Sequence, residues 1–157
     1  MKDTRRNQHN QQGFTLIELM IVIAIIGILI GAAVVGFRAA QRAGNEAATI
    51  QNMKTIAAVQ IQYFNTNSRT FATFDQLIKD KLVNERFAGN PPTTDGYVFT
   101  LKVVPKTPSS PSSYTLNADP QNAGETGTNH FYIDSSDSNI RFNKNQPAGS
   151  SDVPFGG

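Results

Sequence analysis

The chain has 157 residues, with 14 Lys and Arg against 12 Asp and Glu, and no Cys. That length suits one modest domain plus an anchoring segment, and the missing Cys excludes disulfides, thiolate metal sites and cysteine nucleophiles. Setting aside Lys2, Asp3, Arg5 and Arg6 leaves 11 bases and 11 acids, a balanced remainder without the basic stripe that tracks nucleic acid.

Residues 1–13 are polar and basic, and from Phe14 to Val35 the chain is apolar apart from Thr15 and one carboxylate, Glu18. The run has about the length needed to cross a hydrocarbon core of ~30 Å. An acid inside it costs roughly 2.5–3.5 kcal/mol on insertion scales, which makes Glu18 a functional candidate. Gly27 and Gly31 have the spacing of a helix-packing pair, and equally that of ordinary membrane-helix composition. Two competing readings of the run are a secretory signal cut near Gly31-Ala32-Ala33 and a plain signal anchor. Glu18 and the continuation into further helix weigh against the first.

The helical period runs on past the apolar segment. Ala43, Ala47, Ile50, Met53, Ala57, Ile61 and Phe64 recur at spacings of three and four, predicting one apolar stripe. No Pro occurs before Pro91, so a single helix is expected from Phe14 to Phe64 or Asn65. Asn65-Thr66-Asn67-Ser68 breaks it. Thr73 and Gln76 have capping-box spacing and open a short helix expected over Phe74–Leu82, which Asn90-Pro91-Pro92 closes off. Four strands are then expected: Tyr97–Val104, Tyr114–Ala118, Phe131–Asp134 and Ile140–Phe142. Pro105–Ser113, Gln121–Asn129 and Ser135–Asn139 read as the loops between them. Residues 145–157 read as a flexible tail with little to bury. The order predicts an α+β fold with an antiparallel sheet packed on the second half of the long helix.

Gly13-Phe14-Thr15-Leu16-Ile17-Glu18, preceded by the basic segment and followed by the apolar run, resembles the signal of type IV prepilins and type II secretion pseudopilins. The resemblance implies a pilin-like fold and five segments: a cleaved leader (1–13), a transmembrane or filament-core half-helix (14–36), an amphipathic half-helix (37–65), a globular head (66–144) and the tail (145–157). It implies cleavage between Gly13 and Phe14 by a prepilin peptidase, N-methylation of Phe14, and a role for Glu18 in assembly, where its carboxylate would face the Phe14 amine of a neighbouring subunit. The implied partners are further copies of the chain in a helical filament, the peptidase, an inner-membrane assembly platform, and lipid before assembly. The leader bases favour a cytoplasmic N-terminus and an exported head in a single-pass inner-membrane protein, which then passes into a pilus or pseudopilus. A minor pilin or DNA-uptake subunit binding a ligand at a filament tip, and a membrane-anchored periplasmic domain that never assembles, are the alternatives. Two departures from many type IVa pilins are visible: Val34-Val35-Gly36 stands where those carry a Pro, and no C-terminal disulfide can form.

No catalytic constellation emerges, and no cofactor is expected. His9 lies in the leader, leaving His130 without a partner cluster in sequence. Asp134 and Asp137, with neighbouring Ser and Asn, offer oxygen ligands to Ca²⁺, as the calcium site of major secretion pseudopilins does; the same residues also make a plain turn. Pro105–Ser113 is compatible with O-glycosylation and with an ordinary loop.

Overall fold

The computed structural model describes residues 13–156, so all of the leader but Gly13 lies outside the described residues. The chain divides into two units, Met1–Phe37 and Arg38–Gly157, with the boundary inside the first helix.

Helix α1 spans Leu16–Thr66. It runs as long as expected because no Pro interrupts it, and Gly27, Gly31, Gly36 and Gly44 each cost at most ~1 kcal/mol of helix propensity. In the first unit the large apolar side chains face outward: Phe14, Ile17, Ile23, Ile28 and Phe37 are all exposed. A Cβ added at Gly27 or Gly31 would meet nothing within 4 Å, so the small-residue pair packs on nothing among the described residues.

The second unit is an α+β domain. Its five-stranded sheet is an antiparallel meander in the order β1-β2-β3-β4-β5, formed by Thr93–Thr94, Tyr97–Val104, Ser113–Pro120, His130–Asp134 and Arg141–Asn143. The register sets the apolar side chains together: Phe99 opposite Ala118, Leu101 opposite Leu116, Leu116 opposite Ile133, Phe131 opposite Phe142. Strand β3 alternates strictly, burying Tyr114, Leu116, Ala118 and Pro120 while the residues between them stay half-exposed. Met53, Ile56 and Ala57 of α1 close over Tyr97, Phe99, Leu116 and Phe131 in one core.

The stripe on α1 differs from the expected one. The buried positions are Thr49, Asn52, Met53, Ile56, Ala57 and Gln60, whereas Ala43, Ala47 and Ile61 are exposed. Two of the three buried polar side chains on this face, Asn52 and Gln60, find hydrogen-bond partners in the head, whereas the Thr49 hydroxyl has none among the described residues. Gln60 Nε2 donates to the Ala72 carbonyl at 2.6 Å, and its Oε1 accepts from the Ala72 amide at 2.9 Å. Asn52 donates to Asp95 and accepts from Arg86. One turn earlier, the β3–β4 loop is held the same way: Arg42 donates to the Gly124 carbonyl, Asn45 to that of Thr126, and Glu46 accepts from the amides of Thr128 and Asn129 and from the Asn129 side chain.

Helix α2 spans Phe74–Lys79, with the Thr73–Gln76 capping box in place. It stops three residues short of the expected Leu82 because Lys81 takes the left-handed conformation (φ 56), so that the Leu82 amide reaches back to the Leu77 carbonyl and the Lys81 amide to Ile78. That is a helix-ending motif usually built with Gly. A 3₁₀ turn over Glu85–Phe87 follows, and Asp95-Gly96, both at positive φ, turns β1 into β2.

Residues 145–156 are not the loose tail their composition suggests. Ala148 is buried, its carbonyl accepting from Asn117 Nδ2. Phe142 and Val153 share a backbone hydrogen bond, as do Phe155 and Ile140. Phe155 meets Phe131 and Phe142 edge-on, with ring centroids 5.5 and 5.6 Å away. Backbone pairing and one aromatic anchor outweigh the Gly, Pro and Ser content.

Candidate functional site

The site built on the apolar run begins just before α1. The bond between Gly13 and Phe14 lies in non-helical, exposed backbone, and a Cβ at Gly13 would meet nothing within 4 Å. A peptidase needs its scissile bond outside helix and accessible, and Gly13 and Phe14 are both non-helical and exposed. Phe14 is 91% exposed.

Helix α1 is started by a reciprocal pair. Thr15 Oγ1 accepts from the Glu18 amide at 3.3 Å, and Glu18 Oε2 accepts from the Thr15 amide at 2.8 Å and from its hydroxyl at 2.6 Å. Thr15 and Glu18 therefore form a capping box, satisfying donors that a helix start leaves orphaned. The acid that lipid disfavours is thus held by two donors within its own chain. The T-x-x-E spacing of Thr15-Leu16-Ile17-Glu18 is the sequence signal of the pair, hidden by the apolar run that it opens. From Leu19 to Phe37 no charged residue follows. Among the described residues, α1 is the helix long and apolar enough to cross a membrane.

Residues 8–34 match the family model of the prokaryotic N-terminal methylation motif. The chain carries a prepilin-type signal. Gly13, Phe14 and Glu18 all fall inside the matched residues. Over 69 residues the chain is 41% identical to the type IV major pilin protein PilA of Myxococcus xanthus (strain DK1622). That alignment covers 44% of this chain and 31% of the relative, so the similarity spans less than a third of the relative's length. No solved structure matches.

Away from the prepilin-type signal, the remaining candidates are committed to structure. Asp134 Oδ1 accepts from the Ser136 amide and hydroxyl, and Oδ2 from the Tyr132 hydroxyl. Burial raises the Asp134 pKa, but these hydrogen bonds outweigh it and bring the net value below the ordinary one. Asp137 Oδ1 accepts from the Asn139 amide and Oδ2 from Arg141. All four carboxylate oxygens already face protein donors, and among the described residues no cluster of three or more acids or His is placed to hold a metal. His130, at the start of β4, is not alone either: its Nδ1 lies 2.6 Å from Asp119 Oδ1 on β3. The pair ties together the two strand ends that flank the β3–β4 loop.

Proposed function

We propose that this chain is a filament subunit, cut after Gly13, methylated on the new Phe14 amine, and assembled into a type IV pilus or a secretion pseudopilus. The observation that carries the reading is the first unit itself. Its helix exposes apolar side chains, carries one carboxylate near its start, and buries none of this surface against the described residues. Such a surface needs lipid first and other helices later. Cutting on the leader side of the run keeps it attached, and a head-to-tail stack of such helices is a heterologous contact that does not close on itself. Glu18 gives the stack its register: the Phe14 cation of one subunit meets the Glu18 carboxylate of its neighbour, so that two charges costly in an apolar core offset each other. The neutral balance of the processed chain and its lack of a basic stripe favour this over a DNA-uptake role.

Mass spectrometry of the protein recovered from membranes and from sheared surface filaments tests the proposal. A chain beginning at N-methylated Phe14 in both fractions is the expected result. A chain retaining Met1 in filament-free membranes, or one beginning after Ala33, would contradict it.

A further inference from the structure

A cavity of about 400 Å³ opens between the C-terminal end of α1 and the β2–β3 loop, with Phe64, Arg69, Lys106, Thr107, Ser109 and Ser110 among its lining residues. Its charge is one-sided. No Asp or Glu lies between Ala47 and Phe74 or between Gly96 and Ala118, so both chain segments that wall it carry bases alone. Neither Arg69 nor Lys106 pairs with a carboxylate among the described residues.

The walls are held in shape. Ser68 and Arg69 both sit at positive φ (52 and 59), a conformation that costs a non-Gly residue roughly 1–2 kcal/mol. The Arg69 amide donates to the Phe64 carbonyl at 3.1 Å, and the guanidinium carbon lies 6.0 Å from the Phe64 ring centroid. Phe64 is itself stacked on Phe71, centroids 4.6 Å apart. Across the cavity the loop is cinched by reciprocal backbone bonds between Thr107 and Ser110, and its base is tied by Ser112 Oγ donating to the Val104 carbonyl. Arg69 near the α1 C-terminus would by itself offset the helix dipole. That explanation leaves out Lys106 on a separate loop, and the hydroxyls beside it.

We propose that this cavity binds an acidic sugar residue. The acid group is held by Arg69 and Lys106, sugar hydroxyls exchange hydrogen bonds with Thr107, Ser109 and Ser110, and the ring's C–H face lies against Phe64 and Pro108. The volume sits at the small end of the range for small-ligand pockets, about 300–1,000 Å³. That leaves a bare inorganic anion underfilling it. The acid is a carboxylate or a phosphate ester; both offer the oxygens that a guanidinium and an ammonium recognise.

The test uses the full chain in detergent micelles, followed by backbone amide NMR. Glucuronate, glucose 6-phosphate, glucose and inorganic phosphate are titrated separately. The account expects saturable shifts confined to the amides around Arg69 and Thr107–Ser110 with one or both acidic sugars. It expects glucose and inorganic phosphate to bind at least about tenfold more weakly, the scale of one charge-assisted contact. Which acidic sugar binds better identifies the acid. Arg69→Gln and Lys106→Gln should each weaken binding by a similar factor, while Lys54→Gln, outside the cavity, should not. Glucose binding as well as the acidic sugars, inorganic phosphate matching them, shifts scattered over the surface, or wild-type binding by both Gln variants would overturn the proposal. Because the probes are free sugars, failure here leaves the filament reading standing, and failure of filament assembly leaves this one standing.

Discussion

At the scale of single residues, the second unit turns on a few close approaches that composition hides. Gly127 in the β3–β4 loop is one. A Cβ there would sit 2.0 Å from the Tyr97 hydroxyl oxygen and 2.5 Å from its ring. Tyr97 is fully buried and donates that hydroxyl to the Asn129 carbonyl, so it has no free direction in which to yield. Gly127→Ala should therefore destabilise the fold by about 2–3 kcal/mol through overpacking, read as a drop in the urea midpoint. Removing the hydroxyl in the double variant Gly127→Ala, Tyr97→Phe should recover part of the loss. An unchanged midpoint for the single variant would show that the loop moves aside freely. Lys81 illustrates the converse limit on reading a sequence. Its left-handed conformation ends α2, but a Lys carries no mark of that role as a Gly would, so the helix looks three residues longer than it is.

At the scale of elements, α1 was legible where periodicity is strong and misleading where it is diluted. Its extent, the capping box of α2, and the register-bearing cores of β2, β3 and β4 follow from Pro spacing, turn chemistry and alternation. The buried face of its second half does not. Hydrophobicity alone pointed to Ala43, Ala47 and Ile61 as well as Met53 and Ala57, but half of the face that packs on the head is Thr49, Asn52 and Gln60; Asn52 and Gln60 meet polar partners that only the tertiary fold brings near. Nothing local to Gln60 reveals that Ala72 will need both a donor and an acceptor. Gln60→Ala should orphan the Ala72 amide and carbonyl and leave a cavity, costing about 2–5 kcal/mol. Hydrogen exchange at the Ala72 amide should accelerate with it. Retained protection at Ala72 would mean that the clamp is redundant. β1 was missed because it is two residues long, although the Asp95-Gly96 pair beside it is a hairpin signal. The docking of residues 145–156 was missed because Gly and Pro dominate the count while Ala148 and Phe155 carry the contacts.

At the scale of the whole molecule, stability and the proposed assembly rest on different groups. Burial raises the Tyr97 and Tyr114 hydroxyls, with smaller contributions from Glu46 and Asp119 at Tyr97 and from Asp134 at Tyr114; Tyr114 is pushed up to about 12. The unfolded chain ionises these groups near 10. Their contribution is therefore complete below about pH 10 and is lost as pH rises through about 12, because the unfolded state releases protons that the folded state retains. The urea midpoint should fall over that window, with phenolate absorbance appearing together with unfolding. Phenolate absorbance that develops fully before unfolding would contradict the buried placement of both tyrosines.

In the proposed filament, assembly rests on Glu18, and the capping box makes a clean separation possible. Glu18→Gln keeps a side chain that can accept from the Thr15 amide, so the start of α1 survives. It removes the charge, so insertion into the membrane becomes easier rather than harder. What it takes away is the carboxylate that would meet the Phe14 amine of the next subunit. The decisive measurement is sheared filament yield relative to the membrane level of processed protein, for wild type and Glu18→Gln. The expected variant is cut normally after Gly13 and present in membranes at or above the wild-type level, with filament yield reduced about tenfold or more, equivalent to ~1.4 kcal/mol or more per added subunit. Filaments at the wild-type ratio would contradict it and leave Glu18 with no role beyond capping its own helix.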